Sequence, residues 1–218
     1  MRKGRRWMLA LQRQVEATWV ATLDNDSVLC RDHGPELDVE PLGVELSFAL
    51  VAVRVLDLEV FDRSCGTNYR DHRQGCPEGR VVDGLTLMRN SEVHVPVVVD
   101  PGISRALSVP IMREGEVWPF RGQFRIFPSW LEFDELPSAV QETTKTAERC
   151  KTSYQEFVGG RLILDSLLDA VKFFHECDPT IAAVDERGEL LHFPLPAVLS
   201  VSGDRRHPLD EVICGPTL

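Results

Sequence analysis

Apolar residues recur every three or four positions over residues 5–23, where Trp7, Met8, Leu11, Val15, Trp19 and Leu23 fall on one side of a helix. The pattern predicts an amphipathic helix packed on a bundle. An acidic connector runs from Asp24 to Glu40. Pro41 then opens residues 42–62, apolar nearly all round with Glu45, Asp57 and Asp62 among the few charges, which predicts a helix buried in the core. The stretch SCGTNYRDHRQGCPEG is polar and reads as a loop. Helical spacing resumes from about Arg80 to Val95 and is stopped by Pro96. Gly84 inside that helix costs roughly 1 kcal/mol of helix propensity relative to alanine. Such a glycine fits a close backbone approach, for which a dimer contact is the expected neighbour.

Residues 96–136 break the helical period. Proline and glycine recur, VPVVVD, LSVPIM and FRGQFRIF read as short strands, and Trp118, Phe120, Phe124, Phe127, Trp130 and Phe133 gather much of the aromatic content. Helices return over residues 137–178. Ser138 with Gln141 has the spacing of a capping box, opening a polar helix to about Phe157 that Gly159 and Gly160 end. A second helix buries Leu164, Leu167, Leu168, Val171 and Phe174, turns Asp165, Asp169, Lys172 and Glu176 outward, and stops at Asp178 and Pro179. Residues 179–218 hold a hairpin at about 180–193 and a tail without period. The expected fold is therefore mainly α: one domain over residues 1–218, a helical bundle with a small β-containing insertion and a C-terminal β-hairpin.

Composition narrows the function classes. With 43% hydrophobic and 27% charged residues the chain is an ordinary globular one. The longest strongly apolar run, LSFALVAV, meets Arg54 after eight residues, far short of the roughly 20 that span a bilayer. The apolar run WMLAL behind the basic N-terminus is too short for a signal peptide, so a cytoplasmic location is expected. Six scattered cysteines without a CxxC pair are expected to be reduced thiols. Cys65, His72 and Cys76 share one segment but lack a fourth ligand, so neither a metal nor any other cofactor is expected. Walker, GxGxxG, HExxH and nucleophile-elbow motifs are not found.

The candidate chemistry lies in RNSEVH, Arg89 to His94, at the end of the helix stopped by Pro96. A histidine with a reference pKa of about 6.5 can move a proton to or from a ribose 2′-hydroxyl or a leaving 5′-oxygen. An arginine stays charged while negative charge builds on a phosphate. A similar pair, Arg187 and His192, straddles the predicted hairpin turn and is set aside. The net charge of −10 means that any RNA contact must be local. Arg70 and Arg73 form one small basic cluster, and Arg121 and Arg125 lie among the aromatics, where bases could stack while arginines hold phosphates.

An Arg separated from a His by four to six residues, with a polar residue after the Arg, near the end of a long helix in a helical bundle, resembles the HEPN superfamily. A looser likeness, of a kind seen in uncharacterised actinobacterial proteins, extends over the preceding helix and over WLEFDELP and YQEFVGGRLILDSLLDAVKFF. The resemblance implies a metal-independent endoribonuclease of toxin–antitoxin or antiviral defence systems, with Arg89 and His94 catalytic and Asn90 orienting. It implies RNA, tRNA among the candidates, as substrate, with an antitoxin or regulatory protein as a further partner, while the short apolar runs lead to no expected membrane association. Helical geometry adds a homodimer. Arg89 and His94 stand about 140° apart on one helix, an awkward grip on a single phosphate, whereas two motif helices meeting on a two-fold axis share one cleft. The alternative is a non-catalytic helical interaction module.

Overall fold

The structure, a computed structural model, describes residues 3–29, 40–92, 99–100, 103–113, 116–142, 148–182 and 212–213, with side chains placed except at 23–29, 40, 91–92, 103–113, 116–126 and 212–213. The fold is mainly helical with small antiparallel strand pairings.

Helix α1 (Lys3–Leu29) buries Met8, Leu11, Val15 and Trp19. It begins before the expected start and continues into the acidic segment, where Asp and Asn lower helix propensity without the blocking effect of proline. The basic start is thus helical from Lys3 onward, and Lys3 pairs with Glu59 at 3.4 Å. Helix α2 (Glu40–Val55) packs on α1 and passes directly into a π-helix (Leu56–Asp62). Buried Leu56 and Phe61 explain the wider register. Five residues apart, they would diverge by about 140° in an α-helix, and i→i+5 bonding brings them to one side. Asp57, adjacent to Leu56, is carried inward with them.

The segment read as a loop is helical instead. Helix α3 (Arg63–Gly75) is broken once, at Gly66, whose φ of 58° suits a residue without a Cβ. Its sequence carries almost no apolar stripe; what fastens it is non-local. Tyr69 stacks on Phe61 at 5.4 Å and tilts against Phe173 at 5.8 Å, and Arg73 is buried against acidic groups of other elements.

Helix α4 (Pro77–Glu92) is the central element, packed against α2, α3, α6 and α7. Every residue from Val81 to Met88 is buried, which explains its weak amphipathic pattern: a helix covered on all sides has no outer face. Gly84 approaches α6 (Glu148–Phe157) and the residue after it, not a second copy. A Cβ there would lie 2.6 Å from Val158 Cγ2 and 3.1 Å from the backbone of Tyr154. Gly84→Ala is accordingly expected to lose stability, by about 1–2 kcal/mol, because overpacking between two backbones exceeds the gain in helix propensity. Urea unfolding checks this; an unchanged or higher midpoint would contradict the close α4–α6 approach.

Strands β1 (Val99–Asp100) and β4 (Ser129–Trp130) pair antiparallel, and between them β2 (Ile103–Arg113) and β3 (Glu116–Ile126) form a long hairpin with Ile103 opposite Ile126. β5 (Val212–Ile213) pairs with β3. The β-containing insertion is therefore present, whereas the hairpin expected near 180–193 lies almost wholly outside the described residues. Trp130 and Phe127 are buried, so these aromatics anchor the insertion to the helices. Trp118, Phe120 and Phe124 have side chains outside the described set.

Ser138 does not cap a long helix. α5 (Ser138–Gln141) is a single turn with Pro137 at its N-cap, and Gln141 Nε2 donates to the carbonyls of Asp134 and Leu136. A capping box forms earlier, between Glu132 and Glu135 around a 3-10 turn (Phe133–Glu135). α6 starts afresh at Glu148 and ends at a turn in which Gly160 adopts φ 69°. Helix α7 (Ile163–Cys177) buries Leu167, Val171 and Phe174 as expected, with Leu164 and Leu168 half-buried at the margin.

Candidate functional site

The π-helix, α3, α4 and α6 enclose a polar cleft of about 180 Å³ at the end of α2. Arg54 comes from the last turn of α2, and Asp57 and Asp62 from the π-helix. Arg70 and Arg73 come from α3, Asp83 and Thr86 from α4, and Arg149 from α6. Among the described residues of this lining, Leu58 is the one apolar side chain.

At the floor sit three charges that water scarcely reaches: Asp57 at 0%, Asp83 at 1% and Arg73 at 3% exposure. Asp57 Oδ1 accepts from Tyr69 Oη at 2.9 Å and from Arg73 Nη1, while its Oδ2 meets Arg54 Nη1 at 3.4 Å. Arg73 Nε faces Asp83 Oδ1 at 3.3 Å, and Arg149 Nε reaches the same oxygen at 3.6 Å. At the rim Arg70 grips Asp62 through two bonds of 2.5 and 3.0 Å.

Environment sets the proton affinities. Burial raises the Asp83 carboxyl, an effect that Arg73 and Arg149 only partly offset. Burial alone would lower Arg73, but Asp57 and Asp83 outweigh it and raise its affinity for the proton. Burial also lowers Arg54; Asp57 opposes this, while the like charges of Arg89 and Arg73 reinforce it. The bond from Arg70 holds Asp62 below the usual carboxylate range. Tyr69 is raised well beyond a normal phenol by burial and by Asp57, so its hydroxyl remains a donor.

The sequence motif adjoins this cleft. Asp83, Thr86 and Asn90, spaced by three and four residues, follow one side of α4, and Arg89 influences Arg54 electrostatically. Arg89 and Asn90 are both half-buried in the last turn of α4. The described helix ends at Glu92, so His94 lies outside the described residues. Of the expected RNA contacts, Arg70 is exposed at the rim, while Arg73 lies beneath the surface, where its bonds to acidic groups make it an internal member of the network. The backbones of Arg121 and Arg125 belong to β3, and their side chains lie outside the described set.

His72 is exposed and stacks on Phe173 at 5.4 Å, and the described residues contain no cluster of three or more His, Cys, Asp or Glu side chains that could hold a metal ion. Cys65, Cys76, Cys150 and Cys177 are free thiols; burial raises Cys76 and Cys150 and pushes Cys177 up to about 12. No helix among the described residues is long and apolar enough to cross a membrane.

Motif reading missed Arg54, Asp57, Asp83, Thr86 and Arg149. Two had a usable signal: Asp57 and Asp83 each interrupt an apolar helical run, VRVLDLEVF and VVDGLTLM, where an ionisable side chain needs a buried partner. Arg149 carried none, because its role depends on how α6 meets α4. Comparison with protein-family models, curated proteins and solved structures gives no match, which leaves the side chains themselves to define the site.

Proposed function

We propose that the protein is a metal-independent endoribonuclease with a HEPN-like helical bundle, acting as a homodimer. The observation that carries the reading is the half-buried pair Arg89 and Asn90 in the last turn of α4, the helix whose Asp83 and Thr86 line the polar cleft with four arginines. In a chain of net charge −10, Arg89 and the cleft's four arginines, set against three aspartates, supply the local cationic groups that RNA binding requires. In the proposed reaction His94 takes the proton of a ribose 2′-hydroxyl, and O2′ bonds to phosphorus. The P–O5′ bond breaks, and the leaving oxygen is protonated by a histidine, that of the second protomer if two motifs share the cleft. Arg89 stabilises the charge on the phosphorane, and Asn90 orients the histidine or the scissile phosphate. The products carry a 2′,3′-cyclic phosphate and a 5′-hydroxyl. A toxin or anti-phage effector restrained by a second protein fits this chemistry.

A helical interaction module is the second reading, favoured by the stripe of Val44, Phe48 and Val51 on α2, which is 48%, 60% and 36% exposed. Incubation of total tRNA with the purified protein in EDTA separates the two. The nuclease reading expects cyclic-phosphate ends from wild type, and rates at least about 100-fold lower for His94→Ala and Arg89→Ala. Ends bearing 3′-hydroxyls, a requirement for Mg²⁺, or equal cleavage by the variants would sink it. Absence of cleavage transfers the assignment to the interaction module.

A further inference from the structure

We propose that the cleft floored by Arg73 and Asp83 is a binding pocket for a phosphate monoester, with Arg149 and Arg54 closing on it from the rim. The pocket goes beyond the nuclease reading and needs no cleavage at Arg89 and His94. Its first support is hydrogen-bonding capacity left over at the floor. Asp83 Oδ2, an acceptor in a residue 1% exposed, has no hydrogen-bond partner, and Arg73 Nε, in a residue 3% exposed, meets Asp83 Oδ1 at 3.3 Å as an ion pair without hydrogen-bond geometry. A buried polar atom left so carries a desolvation cost that a bound ligand can recover. Both residues line the same cavity.

The second support is loose pairing at the rim. Arg149 stands 3.6 Å from Asp83, and Arg54 stands 3.4 Å from Asp57, against the 2.5 and 3.0 Å bonds between Arg70 and Asp62. Arg149 retains 47% side-chain exposure and Arg54 26%, so each can meet an incoming group. The cavity of about 180 Å³ has room for a phosphate and attached atoms, a single water's share of liquid volume being about 30 Å³.

The acceptor makes the choice of anion specific. A phosphate monoester has a second pKa of about 6, so near neutrality one proton can lie between its oxygen and Asp83 Oδ2 while its other oxygens accept from the arginines. A phosphodiester or sulfate brings no such proton and sets its charge against the carboxylate. Inorganic phosphate, a free nucleotide and a phosphorylated RNA end all satisfy the requirement.

Calorimetric titration of the full chain with inorganic phosphate and with sulfate tests the pocket. Saturable phosphate binding, at least tenfold tighter than sulfate, weakened at least tenfold by Arg149→Gln and less selective in Asp83→Asn, is the expected result. Thermal melts establish that each variant is folded, and half-exposed Arg149 gives the variant least coupled to the core. Failure of phosphate to bind, equal affinity for sulfate, or indifference to Arg149→Gln overturns the proposal and leaves a cleft that holds water only. Adenosine 5′-monophosphate and a short oligoribonucleotide with and without a 5′-phosphate identify the source within the supported outcome. Tighter binding of the phosphorylated oligomer than of the mononucleotide marks an RNA end, and equal binding marks a free nucleotide. Retention of phosphate binding in His94→Ala separates this pocket from the nuclease reading.

Discussion

Replacing Asp57 with alanine is expected to cost about 3–5 kcal/mol, the range for removing one member of a buried ion pair. Asp57 is fully buried and is the shared acceptor for Tyr69, Arg73 and Arg54. Its loss leaves Arg73 beneath the surface with Asp83 as its remaining acidic partner, and deprives the Tyr69 hydroxyl of its acceptor. Because α3 has so little apolar surface, the damage should extend to the whole helix. Thermal unfolding followed by far-ultraviolet circular dichroism is the measurement, with a fall in melting temperature of roughly 2–4 °C per kcal/mol for a chain of this size. Asp57→Asn keeps an acceptor for Tyr69 and should fall between wild type and alanine. Pairing Asp57→Leu with Arg73→Met removes both charges and should recover part of the loss, the rest reflecting buried Asp83, which then keeps Arg149 as its partner. A cost below about 1 kcal/mol for Asp57→Ala would mean that the charges are solvated and the network is not the fastening of α3.

How far such a network can be read from sequence depends on where its stabilisation originates. α1 and α7 were legible because each buries one stripe and leaves the opposite side in water, so Met8, Leu11 and Val15, or Leu167, Val171 and Phe174, repeat at helical spacing. α3 was illegible because Tyr69 and Arg73 hold it through Asp57, Phe61 and Phe173, side chains outside the helix and between eight and about a hundred residues away. Local propensity, in RSCGTNYRDHRQG, points to a loop, and tertiary contacts override it. The π-helix was hidden for a related reason: its register follows from which side chains the core admits, Leu56 and Phe61 together, and a hydropathy pattern cannot distinguish that from a continuing α-helix.

The candidate site divides along the same line. Arg89 and Asn90 were visible because their chemistry lies within one short string at a helix end. The cleft was not, since Arg54, Asp57, Arg73, Asp83 and Arg149 come from five elements and only their packing brings them together. Gly84 shows the intermediate case. Its composition signalled a close approach correctly in kind, but identifying α6 as the neighbour required the fold.

Trp130→Ala is expected to cost a further 3–5 kcal/mol in a separate region, the range for removing a large aromatic from a core. Trp130 is fully buried and is opposite Val99 in the β1–β4 pair, and its backbone bonds the turn after α6 from both sides. Its N–H donates to Arg161 O at 2.9 Å, and its carbonyl accepts from Gly160 N at 3.0 Å. Those bonds, with Ile163 N to Pro128 O at 3.2 Å, dock the base of the insertion on the start of α7. Truncating the indole leaves a cavity where these segments meet, so the amides of Gly160 and Ile163 should exchange with solvent faster as global stability falls. Trp130→Phe should cost less than alanine, since the indole Nε1 has no partner and the unsatisfied N–H disappears with the smaller ring. Hydrogen exchange distinguishes local from global loss. If alanine costs under about 1 kcal/mol and leaves both amides protected, the strand pair merely borders the helical core; a full loss with early exchange at Gly160 and Ile163 makes Trp130 the side chain that fastens the insertion to it.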